Sequence, residues 1–179
     1  MKIRPFPAVV SLVTALAFLF GGWFLYQWLD VKQPVAELLD EEKHINRYDI
    51  TVTPAGVTVE LDVAPDFSLT RDYLVLMERI RDESGEQNVT LSLLDKPNAD
   101  LQTTWHDLYF IVAEGIANKE YSAMVERLKA QSLEKDVDLQ VAMDENFLYV
   151  WLREKHAENE SLFRAMPLEQ NRSEVYADA

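Results

Sequence analysis

Apolar and polar positions recur along this chain in three ways: one unbroken apolar run, several stretches of period two, and several of period near 3.6. The unbroken run is AVVSLVTALAFLFGGWFLYQWL, from Ala8 to Leu29, and holds no charged residue. As a helix rising ~1.5 Å per residue it spans roughly 33 Å, enough for a bilayer hydrocarbon core of about 30 Å. A single transmembrane anchor is therefore predicted over 8–29. Residues 1–7, MKIRPFP, form a cationic flank without acids, which the positive-inside rule keeps in the cytoplasm. Trp23, Tyr26 and Trp28 at the far end fit an interfacial aromatic belt. The run is longer than a signal peptide's apolar region of ~7–15 residues and lacks a small-x-small cleavage site, which favours a retained anchor. Ser11 with Ala15, and Ala17 with Gly21, are small-xxx-small pairs through which two such helices could approach.

Residues 30–47 read as a connecting segment, with Pro34 at a helix start and Val35, Leu38, Leu39 and Ile45 as a partial stripe. Period two then takes over. Ile50 and Val52 alternate with threonines, and after Pro54-Ala55-Gly56 the residues Val57, Val59, Leu61 and Val63 alternate with Thr58, Glu60 and Asp62. That is a half-buried hairpin. Ser68 or Thr70 caps a helix carrying Tyr73, Leu76, Met77 and Ile80 on one face, with Gly85 as its stop. Val89, Leu91 and Leu93 make a strand, ended by the turn Asp95-Lys96-Pro97-Asn98. Leu101, Trp105, Leu108, Val112 and Ile116 define a further helix, with Gly115 and Asn118 marking a break near 117 before a helix from Tyr121 to beyond Leu128. Strands follow at Val137–Met143 and Phe147–Leu152, and 161–166 suits a short sixth strand at an edge. The tail, 168–179, is polar and reads as disordered.

The order β-β-α-β-α-α-β-β, with that sixth strand in addition, predicts an α+β domain over 48–167: one mixed sheet with its helices on one face. An ungapped echo at an offset of 48 residues supports a shared sheet. YLVLMERIRDESGEQNVTLSL from Tyr73 and YSAMVERLKAQSLEKDVDLQV from Tyr121 share seven of 21 positions, among them Arg79/Arg127 and Ser84/Ser132. The sub-order β-α-α-β-β from Val89 to Leu152 is similar in topology to POTRA modules, which sit outside the membrane in assembly proteins. That likeness implies a fold and no chemistry.

Charge narrows the partners. The chain has 17 basic and 31 acidic residues, a formal charge of −14. Both Lys2 and Arg4 precede the apolar run and every acid follows it. Nucleic acid and anionic lipid surfaces, which require clustered cations, are poor partners for such a domain. Without cysteine there is no disulfide, thiolate metal site or cysteine nucleophile. Five glycines leave no phosphate-cradling loop, no serine lies in G-x-S-x-G, and no histidine pair has ligand spacing. Counted as a calcium loop from Asp95, the positions that need oxygen ligands hold Pro97 and Ala99. No cofactor or metal is expected.

Two functional expectations remain. The first is a non-enzymatic, membrane-tethered interaction or assembly module on the outer side of a bacterial envelope membrane, pairing with envelope proteins or itself. Phe147, Tyr149 and Trp151 share one face of a strand, and a partly exposed aromatic stripe would serve as its partner surface. The second is a small-ligand-binding or hydrolytic domain in which His106, flanked by Asp107 and followed by Glu114, acts as a general base. That reading requires the three side chains to converge on a concave site.

Overall fold

The computed structural model describes residues 5–27, 31–53, 55–85, 88–156 and 160–168, with the side chains of the first helix described over 9–22. This helix, α1, runs Pro5–Gln27. Among the described residues no helix is long and apolar enough to cross a membrane. That corrects the predicted anchor over 8–29, and with it the single-pass, signal-anchor and extracytoplasmic assignments. Ser11, Ala15, Ala17 and Gly21 are exposed on α1. The side chains of Trp23, Tyr26 and Trp28 lie outside the described residues, as does the tail beyond Leu168.

After α2 (Gln33–Asp40) the chain forms β1 (Ile45–Thr53), β2 (Gly56–Val63), α3 (Leu74–Glu83), β3 (Val89–Leu93), α4 (Ala99–Asn118), α5 (Tyr121–Glu134), β4 (Val137–Met143), β5 (Phe147–Glu154) and β6 (Ser161–Pro167). The strands form two sheets of three, ordered β1-β2-β3 and β4-β5-β6. In the first sheet β1 and β2 are an antiparallel hairpin with Ile50 opposite Val59, and β3 lies parallel to β2 with Leu91 opposite Val59. Parallel neighbours need a crossover, and α3 supplies it. The second sheet is an antiparallel meander, with Val141 opposite Val150 and Leu152 opposite Leu162.

The fold is α+β, but the single mixed sheet is corrected to two. Periodicity defines which residues share a strand face and leaves open which strand lies alongside. The POTRA likeness falls for the same reason, since β3 belongs to the first sheet while β4 and β5 belong to the second. Nor do the helices share one face. Val35, Leu38 and Leu39 of α2 and Leu76, Met77 and Ile80 of α3 pack with the first sheet, whereas Leu101, Leu108 and Val112 of α4 and Met124 and Leu128 of α5 pack with the second.

Strand β5 belongs to both cores. Leu148, Val150 and Leu152 face the α4–α5 cluster, while Tyr149 and Trp151 face the cluster of the first sheet. A strand apolar on both sides reads as covered on both sides, and here each cover is a different half of the molecule.

Two glycines are there for close approach. Gly56 has φ +147°, and a Cβ there would sit 2.1 Å from the Asn88 carbonyl oxygen, the group that accepts a 2.8 Å hydrogen bond from Val57 N. The hairpin turn therefore also seats the start of β3. Gly115, read in the sequence as a helix break, lies inside α4; a Cβ there would come within 2.5 Å of the Met124 Cβ. It brings α5 against α4, and the helix ends at Asn118, beside the break expected near 117, with Lys119 as a left-handed cap of φ 57°.

The segment after β3 is a clasp. Lys96 N donates to Ser161 O (3.0 Å), Arg164 Nη1 to Asp95 Oδ2 (2.7 Å), and Asn98 Nδ2 to Glu160. It joins the first sheet's last strand to the start and outer side of β6, and Asn98 also caps α4 by accepting from Leu101 N at 2.7 Å.

Candidate functional site: a cleft where the two sheets meet

The loop from β2 to α3 is what the second sheet grips. Ser68 caps the helical turn beginning at Leu69: its hydroxyl accepts from Arg71 N (3.4 Å) and its own N–H donates to Asp72 Oδ2 (2.8 Å). This reciprocal bonding satisfies donors that a helix start leaves open. The ion-paired hydrogen bond from Arg71 holds the Asp72 carboxyl below its usual range. On β4, Gln140 spends both ends of its amide on the same loop, accepting from Leu69 N (2.9 Å) and donating to Phe67 O (3.3 Å). Phe67 meets the Trp151 ring edge-on, with centroids 6.3 Å apart.

Arg153 completes this junction. It lies two residues beyond Trp151 on the same face of β5, and its guanidinium stacks 4.5 Å from the centroid of the Trp151 ring. Its Nε donates to Asp138 Oδ2 at 3.0 Å, its Nη2 donates to the same carboxylate, and its Nη1 donates to the Pro65 carbonyl. One side chain thus ties β4, β5 and the first sheet's loop together.

Beside the junction the sheets diverge and leave a cleft of about 440 Å³, within the ~300–1,000 Å³ of small-molecule sites. One bank carries Asp62 and Lys96 from the first sheet's end. The other carries Trp151, Arg153 and Glu154 of β5, with Glu160 at the entry to β6. Trp151 is only 4% exposed, and its Nε1–H is a buried donor with no hydrogen-bond partner. A buried, unmet donor costs about 1–3 kcal/mol and calls for an explanation. Neither Asp62, Lys96 nor Glu154 forms an ion pair among the described residues.

The residues singled out in the sequence lie elsewhere. His106 is exposed on α4, its Nδ1 2.7 Å from the Gln102 carbonyl oxygen of the preceding turn. Asp107 pairs with Lys135 (2.7 Å) and Glu114 with Arg127 (2.6 Å), both across to α5. The two acids therefore pin one helix to its neighbour while the histidine faces solvent, and the three do not converge on the cleft. The aromatic stripe is also corrected as a partner surface. Tyr149 and Trp151 are 2% and 4% exposed, and Phe147 alone, at the strand's end, is 39% exposed. Both faces of β5 are covered, so nothing of Tyr149 or Trp151 is left to present. Tyr149 instead donates to Asp144 Oδ2 at 2.7 Å, and burial pushes its hydroxyl pKa upward.

Sequence reasoning missed Arg153, Lys96 and Asp62. The spacing of Trp151 and Arg153, two apart on one strand face, was the available signal; their placement against Pro65 and Asp62 depends on residues about 90 positions away in the chain. Among the described residues no cluster of three or more His, Asp or Glu is arranged to hold a metal. Compared with protein-family models, curated proteins and solved structures, the chain finds no match.

Proposed function

We propose that this chain is a non-enzymatic binding module that takes its ligand in the cleft between the two sheets. The observation that carries this reading is a cleft of small-molecule size at the junction of the two sheets, with the anchored Arg153 in its wall. The binding wall is also held in place before a ligand arrives, since Arg153 and Gln140 are anchored within the protein. Preorganisation of this kind removes part of the ordering cost of association.

The hydrolytic alternative has less behind it. His106 lacks a carboxylate partner among the described residues, because Asp107 and Glu114 are engaged with α5, and a general base needs its substrate within hydrogen-bond reach.

The test is the indole N–H resonance of Trp151, assigned with a Trp151→Phe variant and followed by NMR. A panel of neutral, anionic and zwitterionic small molecules is titrated into the full chain. Saturable movement of this resonance, with that of Trp105 stationary, is the expected result. A panel that moves neither resonance up to millimolar concentration overturns the reading.

A further inference from the structure

Helix α4 presents to solvent a face that neither the cleft nor the two cores use. Gln102, His106, Tyr109, Phe110 and Ala117 are exposed and Ala113 is half-buried, and the helical period puts all six in one stripe. The centre of the stripe is aromatic. Phe110 is 74% exposed and Tyr109 41%; their rings meet edge-on with centroids 6.2 Å apart, and Tyr109 meets Trp105 in the same way at 6.0 Å. This edge-to-face row holds the exposed rings from the core side. In a chain whose residues are 27% charged, the stripe carries no acid, lysine or arginine. The three acids of the helix, Asp100, Asp107 and Glu114, are spaced by seven and so occupy a separate row, in which Lys135 and Arg127 of α5's side pair with the last two.

The order of residues along the stripe fits one occupant, a second copy of the same helix running the other way. In a two-fold contact, if one position meets another, the second meets the first in return. With the axis between Tyr109 and Phe110, Tyr109 meets the partner's Phe110, His106 the partner's Ala113, and Gln102 the partner's Ala117. Each long polar side chain thus falls against an alanine, the ridge-and-groove match that helix packing needs, whereas a parallel pair would set like on like. The helix dipoles also run in opposite directions in this arrangement. Charge selects the same occupant. Two chains of net charge −14 repel across most of their surface, and the uncharged stripe lets them touch without opposing acids. A basic or acidic partner would find no counter-charge on it. We infer that α4 is the contact of a two-fold homodimer, formed by antiparallel packing of this stripe on that of a second copy. One helix face buries less than the ~800 Å² per partner of a standard interface, so the dimer is weak, with a Kd on the order of 0.1 mM.

The chain contains no cysteine, so introduced thiols report the contact directly. His106→Cys and Ala113→Cys are made separately in the full chain and oxidised alone and as an equal mixture. The mixture is expected to form disulfide-linked dimer at least tenfold faster than either variant alone. In the antiparallel pair positions 106 and 113 meet, while each lies about 10 Å along the helix from its own counterpart, beyond the ~7 Å Cα separation a disulfide can bridge. Adding Phe110→Glu to both chains is expected to abolish this preference, and in sedimentation the same change alone should remove the parent chain's concentration-dependent dimer. Phe110 is exposed, so the variant should keep the parent's thermal unfolding. Faster cross-linking of either variant alone marks a parallel pairing and overturns the inference. A chain that stays monomeric up to millimolar concentration overturns it as well. So does an association that survives Phe110→Glu, which would belong to another surface, such as the apolar α1.

Discussion

The first-sheet half of the molecule, residues 31–93, and the second-sheet half, residues 99–167, use the same local device to different ends. In each, a helix feeds a strand: α3 into β3 and α5 into β4. The serine about three helical turns beyond the echoed tyrosine is buried in both copies, Ser84 and Ser132 each 4% exposed, and each donates to a carbonyl of its own helix. The echoed arginines both reach back to an acid, Arg79 to Glu42 and Arg127 to Glu114. Yet β3 finishes a sheet by lying parallel to an earlier strand, while β4 begins one by pairing with the next. The cores differ accordingly. The first carries polar aromatics, with Tyr73 donating to Leu91 O at 2.7 Å and Tyr149 bonded to Asp144; the second is largely aliphatic under two helices. A local unit therefore sets how a segment folds, and its neighbours set which sheet it joins.

Substitutions at the two close-approach glycines test how separate these halves are. Gly56→Ala should have the largest effect, about 3 kcal/mol of lost stability in urea unfolding, because it combines a backbone angle that L-residues avoid with a clash against the Asn88 carbonyl. Hydrogen exchange should quicken most in β1, β2 and β3. Gly115→Ala should cost about 2 kcal/mol, since the Met124 Cβ can yield only if α5 moves off α4. Its exchange signature should centre on α4 and α5. If either substitution loosens both sheets equally, the shared strand β5 makes them one cooperative unit and the comparison fails.

The smallest expected effect is a difference in alkaline response. Burial raises the pKa of Tyr73 and Tyr149 above the ordinary value of 10.0. A raised folded pKa means the stabilisation is fully present below pH 10 and is lost as pH climbs from there toward the folded value. At pH 10.5 the loss is roughly 1 kcal/mol for each tyrosine. Exchange at that pH should rise first around β3 and β5, with the outer faces of α4 and α5 following. Tyr149→Phe should flatten the pH dependence; an unchanged profile would show that the two hydroxyls do not govern it.

Much of the local structure was legible in the residues. The alternation of Val57, Val59 and Leu61 and the 3.6-residue recurrence of Leu101, Trp105, Leu108 and Val112 mark elements present in the structure. Gly115 was harder to read, because a glycine in a helix pattern signals a break or a contact, and only the position of Met124 distinguishes them. Asp95 was weighed as a turn residue and as a cation ligand, while its partner, Arg164, is 69 residues away. The candidate site was not legible at all. His106 and Asp107 are adjacent and Glu114 follows on the same helix, but helical geometry sends the acids to α5 and the histidine to solvent.

What the sequence by itself determined is the succession of helices and strands, the apolar face of each, and the net charge of −14. These follow from side-chain period and charge, which are local or additive properties. Only the tertiary structure decided that the strands divide into two sheets and that β5 is covered by a different core on each side. It also decided that a cleft opens where the sheets part. Each of these depends on which distant segments meet. Strand pairing and burial are settled by the competition among all such meetings, and no single stretch of the chain records its outcome.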